Sequence, residues 1–102
     1  MKTPKGKEVF VFDHPESFDR FTIIVKETGQ LFGASTMPFN PQGFGQYCGD
    51  VDTCIADDFN MSDVVEHYAE LAREDPGWLG KEITVFSDLP EDVQKYVEQV
   101  SE

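Results

Sequence analysis

Cations are scarce in this chain. Eight Lys and Arg stand against twenty Asp and Glu in 102 residues, for a formal net charge of −12. Phosphate backbones are held through Lys and Arg, so direct nucleic-acid binding by so acidic a body is not expected. Long apolar runs are missing as well. No stretch approaches the roughly 20 apolar residues of a membrane helix, and the opening MKTPKGKEV holds no apolar signal region. The expected location is therefore cytoplasmic, with no membrane contact. Cysteine and histidine are few: Cys48, Cys54, His14 and His67. Five residues separate the cysteines and the histidines stand far off, which is not a zinc-ligand spacing.

Other chemistry is excluded in the same way. Asp50, Asp52, Asp57 and Asp58 are hard oxygen ligands. The EF-hand pattern fails, however, because Ile55 stands where Gly is needed and Met61 where Glu is needed. GFGQYCG is not followed by the Gly-Lys-Ser/Thr start of a P-loop helix, and the dinucleotide fingerprint is absent. Nothing basic stands beside Cys48 to lower its pKa, and the neighbouring Asp residues would raise it. No catalytic residue, metal or cofactor is assigned, and the chain is read as a non-enzyme.

What the sequence does have is aromatic bulk. Nine Phe, three Tyr and one Trp, with 39% apolar residues, give one domain over 1–102 an adequate core. Residues 1–8 are expected to form a flexible polar end. The run VFVF at 9–12 is a short β segment, broken by DHPES at 13–17. RFTIIVK at 20–26 alternates, with Phe21, Ile23 and Val25 on one face and Thr22 and Ile24 on the other. Residues 27–30 predict a hairpin turn with Gly29 at positive φ. Residues 31–36 then return as the partner strand, where Gly33 and Ala34 leave room for a close neighbour.

Residues 33–50, GASTMPFNPQGFGQYCGD, predict a long loop, since Pro38 and Pro41 do not fit a central strand. Its apolar side chains should fold back on the body, either as a lid or as a recognition loop. In the second reading Phe39, Gln42, Phe44, Gln46 and Tyr47 offer aromatic faces and hydrogen bonds to a ligand.

A helix is predicted over 60–74, capped by Asn60 or Ser62 and stopped by DPG at 75–77. Met61, Val64, Val65, Tyr68, Leu71 and Ala72 form its apolar stripe. At 100° per residue Asp63, Glu66, Glu70 and Glu74 fall within about 80° of one another on the opposite side. Like charges spaced i, i+4 cost a few tenths of a kcal/mol each, an expense compatible with a cationic partner docking there. His67 lies on the flank of these acids, placed to sense pH more than to catalyse. Trp78 and Leu79 are expected to anchor on the core. ITVF at 83–86 predicts a strand. DLPE at 88–91 predicts a helix start with Asp88 as cap and Leu89, Val93, Tyr96, Val97 and Val100 as its stripe. The expected class is α+β: a small antiparallel sheet of about four strands with two helices packed on one face.

The segments MPFNPQGFGQYCGD and LGKEITVFSDLPEDVQKYV together resemble a family of small proteins of bacteria, phages and mobile elements. The resemblance implies a compact single domain. It implies no activity and no catalytic residues, since none is established for that family.

Charge then directs the functional reading. Residues 50–75 hold nine acids against Arg73 alone. The leading expectation is a basic protein partner, engaged by Asp50, Asp52, Asp57, Asp58, Asp63, Glu66, Glu70 and Glu74, in one version by mimicking nucleic acid. The alternative is a small-ligand domain with a pocket under the 37–49 aromatic loop, lined by Phe39, Phe44, Tyr47 and Trp78. A third reading is a dimerisation module.

Overall fold

The four consecutive apolar residues at 9–12 become a strand with both faces covered. The computed structural model describes residues 1–35, 44–51 and 60–102. In it β1 (Val9–Asp13) has Val9, Val11 and Phe12 at 0% exposure and Phe10 at 6%. A continuous apolar run is what a strand needs when neither side meets water. The other strands are β2 (Phe21–Val25), β3 (Gln30–Ala34), β4 (Gly45–Asp50) and β5 (Lys81–Ile83). All neighbours are antiparallel in the order β4-β3-β2-β1-β5.

The α+β class and the antiparallel sheet stand as expected, with five strands instead of about four. The additional strand is β4, taken from the end of the predicted 33–50 loop. Pro38 and Pro41 excluded a strand only around themselves; GQYCGD beyond them pairs with β3 through a register shift at Leu31/Phe32.

The helices do not share a face. Alternation along β1 sends Val9 and Val11 to one side, where they meet Leu89, Val93 and Val97 of or just before α3 (Glu91–Val100). Phe10 and Phe12 go to the other side and meet Val65, Ala69 and Ala72 of α1 (Met61–Glu74). Each face therefore has its own apolar cluster and its own helix. Large rings on the sheet are matched by alanines on α1, which let the helix approach closely.

Two boundaries moved for identifiable reasons. The last strand is Lys81–Ile83 and not 83–86. Pairing along the outer edge of β1 stops at Val11, because the Val9 amide donates to the Met1 carbonyl at 2.9 Å. The segment expected to be flexible thus occupies that edge. Its hairpin is closed by Thr3 N to Lys7 O at 2.8 Å and Gly6 N to Thr3 O at 2.9 Å, with Thr3 buried. Asp88 falls in a 3-10 turn, Phe86–Asp88, and Glu91 is the first residue of α3, with Pro90 in the capping position and no side-chain cap bond. By contrast, Asn60 caps α1 as expected, its side-chain oxygen accepting from Ser62 N at 2.9 Å. Gly29 takes φ +73 in the hairpin turn. Among the described residues no helix is long and apolar enough to cross a membrane.

Candidate partner-binding surface

Helix periodicity fixes which side of α1 faces outward, and the packing fixes how much of that side is left free. Val65, Ala69 and Ala72 are the buried positions. At 100° per residue Leu71 lies about 100–160° from these three, so it falls off the contact. Leu71 is 45% exposed, which corrects its place in the predicted apolar stripe. The signal was present: the small residues Ala69 and Ala72, with Val65, mark the side that approaches the sheet most closely.

Asp63, Glu66, Glu70 and Glu74 are all exposed on α1. They are not equivalent. Glu66 accepts from Lys26 Nζ at 2.7 Å. Arg73 forms a bidentate pair with Glu82 of β5, at 2.7 and 2.9 Å, and lies 5.5 Å from the Phe10 ring centre. These two pairs close one flank of the stripe. Among the described residues Asp63, Glu70 and Glu74 make no ion pair.

The Lys26 ammonium hydrogen-bonds Glu66 and holds its carboxyl below the ordinary glutamate range. Lys26 in turn is raised, first by that same bond. Because the folded value for Glu66 is the lower one, the pair supports the fold above the unfolded glutamate pKa. That support is lost as pH falls through the folded value. Lys26→Met should return the Glu66 midpoint upward toward the ordinary value, as read by carboxyl chemical shifts during an NMR pH titration. An unmoved midpoint would show that the pair is not formed in solution.

The other flank is apolar. α2 (Pro76–Leu79) directly follows α1 and carries Trp78, which is 44% exposed. Its ring meets Tyr68 edge-on, with centroids 4.9 Å apart and planes at 61°. The expectation that Trp78 anchors on the core is therefore corrected: Leu79, not Trp78, packs on the Phe10–Phe12 cluster. A four-residue helix has only one side to give to the core, and Leu79 takes it.

The remaining expected site residues are divided. Asp52, Asp57, Asp58, Phe39 and Gln42 lie outside the described residues, as does Cys54. Asp50 is on β4 opposite Gln30, on the α3 side of the sheet with Phe32 and Tyr47. Its carboxylate accepts from the Tyr47 hydroxyl, which raises the Tyr47 pKa. Asp50 thus does not extend the α1 stripe. Tyr47 also contacts Phe32 edge-on at 5.6 Å, while Phe44 meets Tyr96 at 5.7 Å. Trp78 belongs to the α1 layer, so the predicted pocket wall of Phe44, Tyr47 and Trp78 is not brought together.

Gln46 is engaged internally, donating to Asp19 Oδ2 at 3.2 Å. What packs closely at Gly33 is this same corner. A Cβ there would lie 3.1 Å from Cys48 Sγ and 3.2 Å from Asp19 Cγ. Partial burial raises the Cys48 thiol pKa, Asp19 adds to that, and a Gly33 backbone hydrogen bond opposes it. A thiol held protonated is a poor nucleophile. Among the described residues no three His, Cys, Asp or Glu side chains converge to hold a metal.

Comparison with protein families, characterised proteins and solved structures gave no significant match. The functional reading therefore rests on the surface itself.

Proposed function

We propose that this is a small acidic binding protein, not an enzyme, which engages a basic protein surface through the outer face of α1. The observation that supports it is the run of Asp63, Glu70 and Glu74, exposed on one helix face and in no direct ion pair among the described residues, although Lys26 and Arg73 stand near its edge. Charges left unpaired on one side steer and select a partner of opposite sign. Mimicry of a nucleic acid, inhibiting an enzyme that handles one, is one form of this reading. A phage or mobile-element setting, from the segment resemblance, belongs to the same proposal.

Replacing Asp63, Glu70 and Glu74 together by Lys is the test. Each reversal shifts a partner contact by roughly 1 kcal/mol, so affinity for a basic partner should fall about a hundredfold. The fold should survive, because Glu70→Lys turns the repulsive i, i+4 contact with Glu66 into an attractive one, while the 70/74 contact stays like-charged as it is now. Undiminished, salt-insensitive binding in isothermal titration would remove the reading.

The second reading, a small-ligand site, keeps one specific observation. A cleft of 340 Å³ lies beside the end of the 37–49 segment, lined by Phe44, Asp92, Lys95, Tyr96 and Gln99. A thermal-shift screen with nucleotides and metabolites discriminates: a stabilising hit sensitive to change at Tyr96 favours the cleft.

A further inference from the structure

We infer that the exposed side chains of Leu71 and Trp78, together with the partly buried Tyr68 ring, are the anchor of a docking site for an arginine-bearing basic segment of a partner protein. This rests on the reading of α1 as the docking face and names what that face recognises.

The surface is continuous. Tyr68 and Leu71 are three residues apart on α1, which makes them neighbours on its surface, and the Tyr68 ring touches Trp78. Glu70 and Glu74 stand on the same helix beside them, and Asp75 separates α1 from α2. A large apolar side chain left nearly half exposed next to another is a feature of interaction sites.

The anchor is also held in place. His14 Nε2 lies 3.3 Å from the Gly77 carbonyl. On the next residue but one after Trp78, Gly80 packs tightly on the Asp13 backbone. With the backbone held on both sides of it and its ring against Tyr68, Trp78 has less freedom to lose on binding.

Charge selects the occupant. A second copy of this chain would bring −12 against −12, and the rim of the patch is acidic. Geometry then favours arginine over lysine. A guanidinium stacks on an aromatic face while its N–H groups reach carboxylates on either side, which an ammonium cannot match. The chain already uses this arrangement twice. Arg20 lies 5.0 Å from the Phe21 ring centre and pairs with Asp13 at 2.7 and 2.9 Å; Arg73 is held likewise between Phe10 and Glu82.

Trp78 is the single tryptophan, so its fluorescence reports the site directly. The experiment titrates the full chain with an arginine–leucine peptide and with its lysine–leucine counterpart of equal length and charge. Anisotropy of the labelled peptide and Trp78 emission are read together. The arginine peptide should bind about tenfold tighter and alone shift the emission. Trp78→Leu should abolish that preference while leaving weaker, salt-sensitive binding of both peptides. Equal binding of the two peptides with unmoved emission overturns this inference. If that equal binding is still lost on reversing Asp63, Glu70 and Glu74, the docking-face reading survives alone. Binding of neither peptide overturns both.

Discussion

Gly80→Ala should destabilise the domain by about 3–5 kcal/mol, the sum of an unfavourable backbone conformation and a steric conflict. Gly80 has φ +88 and ψ −152, a region almost reserved for glycine. A Cβ there would also run into the Asp13 carbonyl oxygen and lie 2.6 Å from the Asp13 carbonyl carbon. Both obstacles are backbone, so neither can rotate away. Gly6 separates the two contributions. Its φ is +85, yet nothing lies within 4 Å of a Cβ built on it. Gly6→Ala should therefore cost only about 1 kcal/mol. Urea unfolding of the two variants measures the difference, which holds the clash and any extra backbone cost of the Gly80 ψ of −152. Equal losses would mean that the α2–β1 corner is looser than described. Because α2 is seated by this corner, the Gly80 variant should also move the Trp78 emission maximum before global unfolding.

Phe12→Ala should cost about 3–5 kcal/mol, the usual range for emptying a fully buried Phe site. Phe12 is at 0% exposure and belongs to the cluster under α1. A domain of this size has about 5–15 kcal/mol in total, so the melting temperature should fall by roughly 15–30 °C. Leu71→Ala is the informative companion. The predicted apolar stripe would make Leu71 a core residue and its loss expensive. The observed 45% exposure makes the change cost about 0.5 kcal/mol or less. A large loss at Leu71 in thermal denaturation would contradict the orientation of α1 and, with it, the anchor surface.

Much of the fold was legible because local chemistry and global packing agree. Alternation in FTIIV, positive φ at Gly29, the Asn60 cap and the helix stop before Pro76 all rest on a few neighbouring residues. The acidic stripe was legible too, since periodicity alone sets the angle between Asp63, Glu70 and Glu74. The fully apolar 9–12 run held a further message, a strand covered on both faces, which a half-buried strand would not show.

Other features had no local cause. β4 depends on a partner strand earlier in the chain, and β5 ends where the N-terminal hairpin already holds Val9. The pairing of Glu66 with Lys26 joins residues 40 apart in sequence.

The sequence by itself determined the α+β class, the angular position of each side chain about its own strand or helix, and the acidic character of one face of α1. The tertiary structure alone decided that α1 and α3 cover opposite faces of the sheet, that Asp50 parts from the other carboxylates, and that Leu71 and Trp78 stay outside. The physical reason is that periodicity fixes directions within an element, whereas a sheet apolar on both sides does not say which helix takes which face. Nor does an apolar arc wider than its contact say which edge remains in water.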